Sequence, residues 1–188
     1  MRFVLSIVLI VFNLGFASHL ITNGDFEADL RTGWMQDFGL PTALDSIMIS
    51  PQLDSDPDNE VIVAKYNASS AKLYQMVTVP TLDLQFSCQA LLYVLEHSPS
   101  SETWAASAII LRYLNSSNNL LGQTRIVNKS PNCTWSNSGT NHLIVVTDTA
   151  NWHDYSFNLN NELNNLSGVN RSNIRKVQVA IIDTTNGC

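Results

Sequence analysis

The sequence predicts an all-β domain, built as a sandwich or a barrel. Hydrophobic residues recur with a period of two along most of the chain, the period of half-buried strands. These runs are short and are separated by polar, turn-forming clusters. Only "NNELNNL", residues 160–166, carries a helical pattern, and it is one or two turns long. Many short strands with polar turns between them call for two packed sheets or one closed sheet.

The elements follow in chain order. Met1-Arg2 precedes "FVLSIVLIVFNLGFA", an uncharged apolar run ending in small residues at Gly15 and Ala17. That is the layout of a secretory signal cut near Ala17. The alternative is a transmembrane anchor, but the run is short for a span and no basic cluster follows it. Residues 1–17 are therefore read as an export signal and 18–188 as one domain. Strands are expected at 61–66, 73–79, 106–114, 120–127, 142–147, 155–159 and 176–183. The clearest is "LDLQFSCQALLYV", where Leu82, Leu84, Phe86, Cys88, Ala90, Leu92 and Val94 alternate with Asp83, Gln85, Ser87, Gln89, Leu91 and Tyr93. "LNSSNNLL" reads as a hairpin turn, and "SPQLDSDPDNE" and "EHSPSSETW" read as surface loops. "TTNGC" reads as a turn after the last strand. A sandwich that stops at a turn leaves a sheet edge unpaired, so a final strand is expected to be missing.

Composition narrows the function. The 188 residues carry a net charge of −6, and 14% are charged. Loss of Arg2 with the signal would make that −7. No run of Lys and Arg is visible, which argues against nucleic acid as a partner. Surface polarity comes from Asn, Ser and Thr, and glycosylation sequons begin at Asn67, Asn115, Asn128, Asn132, Asn165 and Asn170. The cysteines are Cys88, Cys133 and Cys188. Cys88–Cys133 is the first pairing to consider, with a buried free thiol at Cys88 as the alternative. The spacings of zinc and haem sites are absent.

Four stretches in order resemble the jelly-roll carbohydrate-binding modules of the galactose-binding-like fold. They are "LITNGDFEADLRTGW", "AKLYQMVTVP", "WHDYSFNL" and "IRKVQVAIID", and together they span nearly all of the chain after the signal. The resemblance implies a two-sheet antiparallel sandwich, mostly non-catalytic relatives, and glycan binding on a sheet face or at loop tips. It also implies a structural Ca²⁺ near the first strand, with Glu27 of the N-G-x-F-E pattern as a ligand. It places Trp34 and Trp152 in the core.

The residues supply candidates of their own. Asp25 and Glu27, two apart, can point to one side as calcium ligands, or can cap backbone amides in a turn. Asp54, Asp56, Asp58 and Glu60 alternate like a calcium loop but lack its glycine, so a solvated acidic loop is the better reading. Sugars stack on Trp or Tyr while amides, Arg or carboxylates take their hydroxyls. Trp104 and Trp135, each in a polar loop, are the stacking candidates; otherwise each pins its own loop. Gln85, Gln89 and Tyr93 lie off the core face of their strand, and Arg112 is out of phase with its apolar neighbours. With Gln75 these could line a groove, or they could be plain sheet surface. Nothing pairs Asp45, Asp54, Glu96, Glu102 and Glu162 for catalysis, and His97, His142 and His153 belong to no triad. The expected function is an exported module that binds polysaccharide without catalysis, within a longer secreted protein or alone. The alternative is an extracellular structural domain that binds protein.

Overall fold

A computed structural model describes residues 6–9, 20–51, 58–95 and 102–186. It is all-β, with one very short helix. The smaller sheet has five strands in the order β10-β6-β1-β4-β3, and the larger has six in the order β2-β5-β11-β7-β8-β9. The strands are β1 (Ser6–Leu9), β2 (Met35–Phe38), β3 (Ser46–Pro51), β4 (Asn59–Ala64), β5 (Ala68–Thr78), β6 (Gln85–Leu92), β7 (Ala105–Leu114), β8 (Leu120–Lys129), β9 (Asn141–Val145), β10 (His153–Asn158) and β11 (Lys176–Asn186). The main core lies between the sheets. Phe86, Cys88, Ala90 and Leu92 of β6 face Leu73, Ile109, Leu111, Tyr113, Val179 and Ile181 of the larger sheet. The alternation read from the sequence is thus the alternation of the core.

Several expectations change. Every pairing is antiparallel except β8 with β9, which is parallel, so the larger sheet is mixed. Residues 130–140 make the return that a parallel pairing of β8 and β9 requires. The stretch "LITNG", where the resemblance implies the end of a first strand, forms a turn. Asn23 sits at φ 51 and Phe26 at φ 57, and the Asn23 side chain bonds both the N–H and the C=O of Ala28. A bulky residue is rare in that conformation. Here Phe26 is fully buried against Trp34, with ring centroids 5.4 Å apart, and Trp34 Nε1 donates to the Asn23 carbonyl at 2.9 Å. Burial of two aromatic rings outweighs the strain. The residues "TTN" do not turn: β11 continues through them, pairing with Ser70, Ser69 and Ala68 on one side and with Ala106 and Ala105 on the other. Asn158 caps a four-residue helix, α1 (Leu159–Glu162), followed by a 3₁₀ turn, Leu163–Asn165. Cys88 and Cys133 are both free and buried in different clusters, so the pairing considered for them is not made. Cys188 lies outside the described residues.

Ser6–Leu9, inside the stretch read as an export signal, forms the middle strand of the smaller sheet. It runs antiparallel to both β4 and β6, which are not bonded to each other. Most of residues 1–17 lies outside the described residues.

A buried charged group ties the sheets together. Lys65 Nζ donates to Asp45 Oδ2 at 2.7 Å and to the carbonyls of Leu40 and Tyr66, with both charged side chains at or below 1% exposure. Lys65 N donates to Asp183 Oδ2, 2.8 Å away on β11. Burial alone would raise the Asp45 carboxyl, but hydrogen bonds from Lys65, Tyr66 and Thr42 hold it below its ordinary value. Asp183, deeply buried, is raised well above its ordinary value by desolvation, against the pull of the Lys65 and Thr184 amides.

Candidate functional site

The outer side of the six-stranded sheet gathers aromatic and cationic side chains. Register sets its side chains in rows. Tyr74, Ala180, Ile110, Arg125 and Leu143 lie side by side across β5, β11, β7, β8 and β9. Lys72, Ile182, Ala108 and Val127 form the row on one side, and Met76, Gln178, Arg112 and Gln123 the row on the other. Short alanines floor the middle. Tyr74 stands at one flank, and Trp104 and Trp135 pack against the same outer cluster. Three strand spacings separate Tyr74 from Arg125, roughly 14 Å.

The two tryptophans meet although 30 residues separate them in the chain. Their ring centroids are 6.1 Å apart at an interplanar angle of 56°. Each is held on a fixed backbone. Trp104 N donates to Asn186 Oδ1, and Asn186 returns a bond to the Trp104 carbonyl. The loop of Trp135 is fixed by Asn137 Oδ1, which accepts from Leu143 N, and by Asn141 Nδ2, which donates to the Ser136 carbonyl. The Arg125 guanidinium lies 3.9 Å above the Trp135 ring centroid, a cation–π geometry. Its Nε and Nη1 are shielded and have no hydrogen-bond partner among the described residues. Burial lowers its proton affinity; Cys133 offsets part of this and Arg112 adds to it. The group stays charged, as arginine does in proteins. Arg112 Nη1 donates to Gln178 Oε1 at 3.3 Å.

Of the residues singled out in the sequence, Trp104, Trp135 and Arg112 share this face. Gln75 does not. It points inward beside Leu73, is 5% exposed, and clamps Thr22 through both N–H···O bonds, at 2.8 and 2.9 Å. Gly33, at φ 91, lies against that clamp, where a Cβ would come within 2.9 Å of Gln75 Nε2 and Thr22 Cβ. Gln89 lies on the opposite side of the sandwich, donating to Asp154 Oδ1, with Gln85 bonded to Ser156 beside it. Tyr93 follows β6, half-buried. One groove of Gln75, Gln89, Tyr93 and Arg112 therefore does not exist. Trp34 is in the core as expected, but Trp152 packs outside the smaller sheet against Ile62, Ala64, Tyr66 and Leu91.

Glu27 uses both oxygens to accept from Asn59, at 3.1 Å each, and Asp25 Oδ1 accepts from Glu27 N. No group of three or more His, Cys, Asp or Glu that could hold a metal occurs among the described residues. Asp54 and Asp56 lie outside the described residues.

Two other features escaped the sequence. A cleft of about 510 Å³ is lined by Asp29, Leu30, Arg31, Trp34, Gln36 and Ile49. Its aromatic residue, Trp34, is 4% exposed and leaves no face for stacking. Elsewhere, buried Glu162 on α1 accepts from Thr124 at 2.8 Å and lies 2.5 Å from Nδ1 of His142 on β9. Asn165 donates to its other oxygen. A buried carboxylate holding an imidazole is the orienting half of a general-base pair, and it equally locks an edge strand to a helix.

No family model matches the chain, and no curated protein matches it in sequence. Among solved structures it is similar to the enzymatically active domain of bacteriophage CBA120 tailspike protein 4, at 13% identity and a TM-score of 0.48. The overlap covers 88% of this chain and 19% of that one, so the chain spans about a fifth of its length. A likeness of that extent transfers no activity. The expectation of a chain without catalysis finds no support in that likeness, which is to a domain described as enzymatically active. Glu162 and His142, read as unrelated, are also paired.

Proposed function

We propose that the protein binds carbohydrate on the outer side of its six-stranded sheet, as an exported jelly-roll module of the galactose-binding-like kind. The carrying observation is the Trp104–Trp135 pair with Arg125 stacked on it. A tilted indole pair offers apolar faces to sugar C–H groups, while Arg125, Arg112 and Gln178 supply polar groups for hydroxyls. Glycan-array screening of the full chain, with Trp104→Ala and Trp135→Ala alongside, tests this. Hits that both substitutions weaken support it; an empty array from a folded chain sinks it.

Export and calcium belong to the same proposal. Cleavage near Ala17 would remove Ser6–Leu9 and leave β4 and β6 without their shared neighbour, so N-terminal sequencing of the secreted chain reports directly on export. Calcium at Glu27 would have to displace the two Asn59 bonds, and a rise in melting temperature on calcium titration would reveal it. A second reading, a surface that binds protein, is favoured by exposed Met35, Leu40, Leu44 and Met48 along the β2–β3 side.

A further inference from the structure

We infer that the glycan taken by the outer face of the six-stranded sheet is anionic, bearing a carboxylate or sulfate that Arg125 receives beside the ring stacked on Trp135. This rests on the carbohydrate reading above and names its ligand class.

The chain is acidic, at −6, with ten Lys and Arg in all. Five of the ten point outward from this one sheet: Lys72, Arg112, Arg125, Lys129 and Lys176. The strands of that face supply one carboxylate there, Asp37, already bonded to Lys72 at 2.8 Å. Widely spaced in the sequence, these cations show no cluster until the strands are set in register. Arg112 is bonded to Gln178, Lys129 to the Cys133 carbonyl and Lys176 to Asn118. Arg125 differs, because two of its shielded nitrogens have no acceptor among the described residues.

A guanidinium only donates. Left shielded without an acceptor it is costly. A carboxylate or sulfate oxygen is a stronger partner for a guanidinium than a neutral hydroxyl; it meets Arg125 at Nη2, and pairs with the covered Nε or Nη1 only as the side chains over them move aside. The acidic remainder of the chain repels an anion at long range. Within a Debye length, about 8 Å at physiological salt, the local cations prevail.

The test uses the full chain and two polysaccharide pairs that share a backbone and differ in the anionic group. One is homogalacturonan, de-esterified against fully methyl-esterified. The other is keratan sulfate against its desulfated backbone. Titration calorimetry is run on the wild type, Arg125→Lys and Arg125→Gln. At least one anionic member is expected to bind more tightly than its neutral twin. Arg125→Gln should remove that preference by about tenfold or more, with Arg125→Lys intermediate. Should Arg125→Gln not fold, a salt titration of the wild type decides: the anionic preference must shrink as salt rises. Equal binding of charged and neutral twins overturns this inference and leaves the carbohydrate reading standing. Equal affinity for a single-stranded DNA of matched charge also overturns it, as plain counter-ion attraction. No binding to any of the four polysaccharides counts against both.

Discussion

The two outer faces of the sandwich both carry tryptophan, in different surroundings, and the proposed site lies on one of them. On the smaller sheet, Trp152 packs with Tyr66 and Leu91 over Ile62 and Ala64. The polar residues around it satisfy one another: Gln85 with Ser156, Gln89 with Asp154, Asn158 with Asp83. None of the strands there carries Lys or Arg. On the larger sheet, Trp135 meets a second indole and an arginine whose donors are not all used. An aromatic side chain marks a site when its neighbours have bonding capacity left over; where they do not, it is a lid on its own sheet.

The largest effect should fall on the seam that holds the two faces back to back. Lys65→Met leaves Asp45 buried without its cation and is expected to cost about 3–5 kcal/mol, read from urea unfolding. A loss below about 1 kcal/mol would show the seam to be dispensable. Next, Trp135→Ala should weaken glycan binding by about tenfold or more. Trp152→Ala on the other face should leave the affinity of the folded chain unchanged. Equal losses from the two substitutions would erase the contrast between the faces.

A smaller effect concerns pH. Unfolded, Asp183 ionises near its ordinary value; folded, it keeps its proton to a higher pH. Between those values the folded state binds more protons, so this group's contribution to stability falls as pH rises. Asp45 works in the opposite sense: its depressed value contributes stability above the ordinary carboxylate range that is lost on acidification. Asp183→Asn should therefore gain on the wild type from about pH 4 upward, measured as melting temperature against pH. A constant difference across that range would remove the assignment. The smallest expected effect is that of Gln89→Ala, which should not change glycan affinity at all.

Much of this was legible in the sequence. The alternation through β6 and the hydrophobic runs of β7 and β11 gave the sheets, because burial on one or both faces stamps a period on the residues. Strands β2 and β3 were missed, since edge segments such as "MQDF" are exposed and carry no such stamp. Gln75 was misplaced even though Leu73, Gln75, Val77 and Val79 share one phase, which already aimed it inward. Gln89 and Arg112 were grouped together because parity tells which side of a strand a residue faces, but not to which sheet the strand belongs. Nothing in the local sequence singles out Arg125; its position beside Trp135 depends on where residues 130–140 fold back, which local pattern does not encode. The pair of Glu162 and His142 was hidden for the same reason, being 20 residues apart on different elements.

The place of Ser6–Leu9 gives the two sheets different mechanical characters. The six-stranded sheet is continuous: each strand is laced to the next, and a load on the tryptophan face is shared across it. The five-stranded sheet is two leaves, β10–β6 and β4–β3, joined by a four-residue spine. Pulling, proteolysis or processing at that spine would part the leaves while leaving the opposite sheet's ladders intact. The side proposed to grip a ligand is thus the one built to stay in one piece.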